Sequence, residues 1–142
     1  MVDQITVFLE NAEGRLSALC RTFANAGISM SALTIADTTD FGVVRIICEN
    51  PQHALDVLTE AEYRAVITKV SAIQVPNEAG GLAKLLDTLD GLDLNIEYGY
   101  CFSVNGDTAV DVLKIRGAKE ADEASKAIEA AGFKLLTQAD LS

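Results

Sequence analysis

Two tandem copies of a β-α-β-β-α-β unit, an α+β fold of the ferredoxin-like kind, are predicted for this chain. Three observations carry the prediction. The segment Glu10-Asn11-Ala12-Glu13-Gly14-Arg15-Leu16-Ser17-Ala18-Leu19 returns 66 positions later as Pro76-Asn77-Glu78-Ala79-Gly80-Gly81-Leu82-Ala83-Lys84-Leu85, with Asn, Gly, Leu and Leu coinciding. Each copy of this segment separates an alternating strand from a helix whose apolar residues recur at i, i+3, i+4 and i+7. A strand, a hairpin, a strand, a second helix and a final strand then follow in both halves.

In chain order, the first strands are Ile5-Val7-Leu9 and Ser71-Ile73-Val75, each alternating as a half-buried strand should. The first helices carry the stripes Leu16, Leu19, Cys20, Phe23 and Leu82, Leu85, Leu86, Leu89, one buried face apiece. Breaks at Ala26-Gly27 and Gly91-Leu92 lead into second strands. Hairpins follow at Asp40-Phe41-Gly42 and at Asn105-Gly106, the latter the stronger signal because both positions tolerate positive φ. The third strands, Val43–Cys48 and Ala109–Ile115, place Arg45 and Asp111 at aligned positions with opposite charge. Second helices span Gln52–Ala61 and Lys119–Ala131, the latter with Ala121, Ala124, Ile128 and Ala131 along one face. Final strands are Tyr63–Thr68 and Phe133–Thr137.

No linker separates the halves, so the domains are placed at 1–68 and 69–142. A unit of about 70 residues builds a core of only a few kcal/mol by itself. The expected solution is one joined antiparallel sheet across both copies with helices on one face, and a homodimer through the edge left open.

Charge narrows the function. Against 11 Lys+Arg stand 21 Asp+Glu, a net charge of -10 in 142 residues. Nucleic-acid binding draws on cationic side chains, and anionic membrane surfaces do too, so neither is expected as a partner. No apolar run approaches the roughly 20 residues needed to span a bilayer. The N-terminus lacks a signal-peptide pattern, and the expected location is the cytoplasm. Cys20, Cys48 and Cys101 form no close pair and read as small core residues. His53 is the sole histidine, which leaves no Ser-His-Asp or Cys-His arrangement and no metal-ligand spacing. The scattered acidic residues read as solvated faces. No catalytic residue, metal or cofactor is expected.

The repeated loop enters a helix, where the first N–H groups lack intrahelical partners and carry the positive end of the dipole. A carboxylate fits such a place. Gly14, Gly80 and Gly81 let a ligand approach the backbone, and Asn11 and Asn77 supply amide donors and acceptors. Together these suit the carboxylate and ammonium of an amino acid. The same residues also suit a turn and a helix cap with no ligand.

The repeated Asn-x-x-Gly-x-Leu within two β-α-β-β-α-β copies resembles a tandem of ACT domains over about Val2 to Thr137. The family pattern Glu-Asn-x-Pro-Gly-x-Leu is met by Glu10 to Leu16 except at the Pro, and by Pro76 to Leu82 with a further departure at the Glu. Second strands in the family often begin Asn-Ile, which Asn95-Ile96 matches and Ser29-Met30 does not. The resemblance implies a non-catalytic regulatory protein that binds a free amino acid between the loop of one unit and the second strand of the other. The implied ligand-binding residues are Asn11, Ala12, Glu13, Gly14, Arg15, Leu16, Ser29 and Met30, with Asn77, Glu78, Ala79, Gly80, Gly81, Leu82, Asn95 and Ile96. Tyr98 is expected near an apolar or aromatic side-chain pocket.

Since such units usually regulate an enzyme, an enzyme partner in trans is expected, and acetolactate synthase would be a specific case. Two other readings stand beside this one. The chain is a protein-interaction module whose loops bind nothing, or an acylphosphatase-like enzyme using Arg15, a position where copy two has Gly81.

Overall fold

The computed structural model describes residues 1–37 and 41–141, with the side chains of Asp37, Ser103 and Val104 left aside. Asp40 of the first predicted hairpin therefore lies outside the described residues. The elements run β1 (Val2–Glu10), α1 (Arg15–Asn25), β2 (Met30–Asp37), β3 (Phe41–Cys48), α2 (Pro51–Glu60), β4 (Arg64–Pro76), α3 (Gly81–Leu89), β5 (Ile96–Asn105), β6 (Thr108–Ile115), α4 (Ala118–Ala130) and β7 (Lys134–Leu135). A short 3-10 turn, Ala139–Leu141, follows. The order is β-α-β-β-α-β twice, with the last strand of the first copy and the first of the second fused into the 13 residues of β4.

The chain divides into two compact units. An N-terminal unit holds Asp3–Thr68 with Gln138–Ser142, and a C-terminal unit holds Lys69–Thr137 with Met1–Val2. The N-terminal sheet has the order β2-β3-β1 followed by the first residues of β4, and Thr6 and Thr68 bring their hydroxyls to 2.9 Å. In the C-terminal unit β5 flanks β6, β6 flanks β4, and β7 lies on the other edge of β4 through Ile73↔Leu135. Antiparallel pairing runs through β1–β3, β2–β3, β4–β6 and β5–β6. Each unit thus has the strand order of a split βαβ fold.

Alternation decides which strand face is covered. Ile5, Val7 and Leu9 of β1 and Val44, Ile46 and Cys48 of β3 join Leu19 and Phe23 of α1 and Ala54 and Leu58 of α2 in one core. The C-terminal core is built likewise from Ile73, Val75, Ala109, Leu113 and Ile115 with Leu85 and Leu89 of α3 and Ala121, Ala124 and Ile128 of α4. Both helices of a unit therefore cover the same sheet face. Burying a Leu, Ile or Phe side chain stabilises by about 1.5–3 kcal/mol, so these clusters hold each unit together.

Several expectations change in the structure. Each helical stripe is buried at only two of its four positions: Leu19 and Phe23 are sealed, while Leu16 is 38% exposed. Likewise Leu85 and Leu89 are buried, whereas Leu82 and Leu86 remain exposed. The i, i+4 pair points at the centre of the sheet, and Leu16 sits on the first turn beside the loop. Cys101 is exposed rather than a core residue, because β5 lies at the end of its sheet's strand order; Cys20 is half-buried and only Cys48 is sealed. In the second hairpin, Asn105 still pairs with Thr108, so the two-residue loop is Gly106-Asp107 with positive φ at Gly106. That pattern is the II′ turn, with glycine first.

The tail after β7 was not legible as structure. Gln138 accepts from the Asp3 N–H at 2.8 Å and donates Nε2 to the carbonyls of Asp3 and Cys48 at 3.3 and 3.1 Å, and Leu141 is buried. One amide side chain thus ties the end of the chain to β1 and the end of β3.

The split stripe is directly testable. Leu85→Ala should cost about 2–5 kcal/mol, the range for a buried leucine, and the exposed Leu86→Ala less than about 1 kcal/mol. Urea unfolding of the two variants would separate them. Equal costs would mean that the apolar stripe is buried across its whole width.

Candidate functional site

The loop from β1 to α1 is closed by glycine. Gly14 is the N-cap of α1 at φ 82°, and Gly80 is the N-cap of α3 at φ 86°, both left-handed. An L side chain there costs about 1–2 kcal/mol, which explains why Asn-x-x-Gly is the repeated element. Neither helix has a side-chain cap, and neither carries an acidic residue in its first turn. The positive end of each dipole therefore has no capping side chain and no first-turn carboxylate of its own helix.

The asparagines do not cap. Asn77 donates Nδ2 to the Gly106 carbonyl at 3.2 Å and its backbone N–H to Asp107 at 2.6 Å, which pins the loop to the β5–β6 hairpin. Gly81 is buried, and a Cβ there would collide with the Pro76 carbonyl oxygen. Copy two therefore cannot accept an arginine where copy one has Arg15. Arg15 pairs with Glu10 at 3.0 Å, both exposed, an interaction worth at most about 1 kcal/mol.

In the N-terminal unit this loop roofs a cavity of about 130 Å³. Leu9 and Val44 line it from the sheet, Ile35 of β2 and Leu16 of α1 form its walls, Gly42 leaves space at one end, and Glu10, Asn11, Ala12 and Arg15 rim it. A space of this size exceeds that of a single water, whose share of liquid volume is about 30 Å³. It offers a bare helix terminus and an amide side chain above an apolar floor. Ile35 and Leu16 are 48% and 38% exposed, so the floor opens to solvent on that side.

Of the sixteen residues expected at the site, Asn11, Ala12, Arg15 and Leu16 come together at this cavity. Glu13 and Gly14 belong to the same loop without lining it. Asn77, Glu78, Ala79, Gly80, Gly81 and Leu82 form the corresponding loop and helix start of the C-terminal unit. Ser29 and Met30, with Asn95 and Ile96, fall elsewhere within their units. Met30 pairs with Cys48, whereas the loop end of the sheet is marked by the pairs Leu9↔Gly42 and Ile35↔Val44. The start of β2 thus lies several strand steps of about 3.3 Å from its own unit's loop. Met30 and Ile96 pack against their cores, and the Asn95 carbonyl accepts the Arg116 N–H at 2.9 Å.

Residues that sequence reasoning missed are Leu9, Ile35, Gly42 and Val44. Their signal was the period-2 alternation of β2 and β3, which required the strand register to be read. Tyr98 pairs with Lys114 and Tyr100 with Val112, whereas the neighbouring Gly99 pairs with core residue Leu113. Tyr98 and Tyr100 therefore lie on the sheet face opposite the helices of their own unit.

Register also separates Arg45 from Asp111. Val7 pairs with Val44, and its counterpart Ile73 pairs with Asp111. Asp111 is thus equivalent to Val44 and faces the helices, while Arg45 lies on the other face beside Thr6 and Thr34. The aligned position of the two is lost because a one-residue shift flips a strand's faces. Asp111 is only 6% exposed, its neighbour across the strands is Cys101, and its Oδ2 has no hydrogen-bond partner among the described residues. Burial raises the Asp111 carboxyl above its ordinary range, partly offset by a hydrogen bond from the Cys101 thiol. Burial and the adjacent carboxylate raise the Cys101 thiol in turn.

Among the described residues no group of three or more His, Cys, Asp and Glu side chains is arranged to hold a metal ion. Among the described residues no helix is long and apolar enough to cross a membrane.

Two ferredoxin-like β-α-β-β-α-β units in tandem, each entering its first helix through a left-handed glycine, define the class as a duplicated regulatory domain fold. The chain belongs to the ACT domain family, as an ACT domain pair matched over residues 1–142. It is similar to protein BT0572 from Bacteroides thetaiotaomicron, with 34% identity and a TM-score of 0.90 over 99% of this chain and 94% of that one. Its fold is shared by the ligand-free regulatory subunit of aspartate kinase from Thermus thermophilus, with 16% identity and a TM-score of 0.66 over 92% of each chain. The regulatory subunit from Thermus flavus matches at 16% identity and a TM-score of 0.60 over 91% of each. Among curated proteins none matches the chain.

The buried carboxyl has a signed consequence. Its folded-state pKa is raised, so the folded chain holds the proton more tightly than the unfolded one. Stability contributed by the neutral form is present below the unfolded pKa and falls as pH rises towards the folded value. Asp111→Asn should remove that fall. Denaturant unfolding of both proteins between about pH 4 and about pH 7 checks it: the variant should gain on the parent as pH rises, and parallel curves would contradict the burial argument.

Proposed function

We propose that this chain is a non-catalytic regulatory protein that binds a free amino acid at the β1–α1 loop and conveys its presence to a separate enzyme. The two ACT domains divide at Thr68 and Lys69 in this reading. The observation that carries it is the cavity beneath the Glu10–Leu16 loop, where a bare helix start meets an apolar floor. The ligand carboxylate accepts hydrogen bonds from the first-turn N–H groups of α1, beside Gly14. Asn11 Oδ1 takes the ammonium, and Leu9, Leu16, Ile35 and Val44 receive an apolar side chain. The ligand acts only through its different affinity for two states of the protein.

The similarity to aspartate kinase regulatory subunits supports an enzyme partner in trans. A regulatory subunit of another amino-acid biosynthetic enzyme, acetolactate synthase among them, belongs to the same reading. Homodimerisation and a cytoplasmic location complete it. The acylphosphatase alternative is disfavoured, because Arg15 is paired with Glu10 and its counterpart Gly81 has no room for a side chain.

A thermal-shift screen against the twenty amino acids tests the proposal. A ligand at a hundred times its Kd should stabilise the protein by about 2.7 kcal/mol. Asn11→Ala should weaken that ligand without altering the midpoint of the free protein by more than a small amount, since Asn11 is exposed. An Asn11→Ala variant that keeps full ligand stabilisation would remove the site from this loop, and a screen without any hit would overturn the binding claim.

A further inference from the structure

The two loops stand over different floors. Strand pairing gives the correspondence residue by residue: Leu9↔Gly42 matches Val75↔Ala109, Val7↔Val44 matches Ile73↔Asp111, and Ile35↔Val44 matches Cys101↔Asp111. Where the N-terminal cavity has Val44 in its floor, the C-terminal unit has Asp111. Where it has Ile35 as a wall, the C-terminal unit has Cys101. At the rim, Arg15 becomes Gly81 and Ala12 becomes Glu78.

The charge difference lies in the floor, since the rim pair Glu10–Arg15 has a counterpart in Glu78–Lys84. The N-terminal rim is balanced by the Glu10–Arg15 pair over an apolar floor. At the C-terminal counterpart the guanidinium is gone, and Glu78 is engaged by Lys84 at 3.7 Å out on the surface. Asp111 is more than nine-tenths buried on the helix-facing side, and its Oδ2 is without a partner among the described residues. A buried acceptor left unpaired costs about 1–3 kcal/mol, and more when charged. A single positively charged donor brought in from outside satisfies it. The first-turn N–H groups of α3, after the left-handed Gly80 and with no side-chain cap, supply the complementary place for a carboxylate.

Resting on the reading of these loops as amino-acid sites, we propose that the C-terminal unit takes an amino acid with a cationic side chain, whose ammonium or guanidinium pairs with Asp111. The N-terminal unit takes an apolar one. Asp111 is then the specificity-determining residue, and the pair is a sensor with two unlike inputs.

Isothermal titration of the full chain with L-lysine, L-ornithine and L-arginine, against L-norleucine and L-leucine, tests this. A basic amino acid should bind, and Asp111→Val, which installs the N-terminal unit's residue, should weaken it at least tenfold. Binding of the apolar amino acid should stay within about twofold, since Val44 and Ile35 are untouched. Asp111→Asn keeps the shape and removes the charge, so it should lose the basic ligand as well; a merely structural role for Asp111 would leave Asn equivalent to Asp. The variants' thermal midpoints should be equal to or above that of the parent, which separates lost recognition from lost folding. Basic amino acids that bind no better than norleucine, or binding unchanged in both variants, would overturn the assignment while leaving the apolar site intact. If no amino acid of either kind binds, the underlying reading of the loops falls with it.

Discussion

The pairing register of the third strand of each unit against the first decides which side chains lie beneath the helices, and the rest of the architecture follows from it. In the N-terminal unit Val7↔Val44 and Ile5↔Ile46 put β-branched residues under α1 and α2. In the C-terminal unit Ile73↔Asp111 inserts a carboxyl into the same layer between Ala109 and Leu113. Since side chains alternate with period two, a slip by one residue would exchange the whole buried set for the polar one. The hydrophobic cores enforce the register, and the register in turn sets the floor beneath each β1–α1 loop.

Above that floor the backbone does the rest. Gly14 and Gly80 turn the chain through the left-handed region and leave each helix start without a side-chain acceptor. A loop that capped itself with an aspartate or serine would neutralise the place where an anion is favoured. Asn77, tied to the Gly106 carbonyl, holds its loop in position rather than capping the helix. The left-handed glycine is a backbone requirement shared by both copies, which is why the loop is so clearly repeated.

The duplication, the element order and the family were legible because they rest on patterns local in sequence. The Asn-x-x-Gly-x-Leu repeat, the alternating β1 and the Asn-Gly signal each depend on a few neighbouring residues. What escaped was non-local. The helical stripes gave four candidates each, and only the packing of Leu19 with Phe23, or Leu85 with Leu89, tells which pair seals the core. The equivalence of Arg45 and Asp111 failed because an alignment by offset carries no information about a one-residue difference around a hairpin. Ile35 and Val44 were invisible as site residues because they are ordinary strand residues until the loop is folded over them. The role of Gln138, binding Asp3 and Cys48 from the far end of the chain, has no local signature at all.

The central claim is that the space under the Glu10–Leu16 loop is a ligand site rather than a packing defect. Amide chemical shifts of the isotope-labelled protein, followed while a mixture of free amino acids is titrated in, address it most directly. The account predicts saturable shifts concentrated at Asn11 to Ser17 and at Ile35, Gly42 and Val44, the residues that surround the cavity and the bare turn of α1. Shifts confined to other surfaces, or none at millimolar ligand, would contradict it.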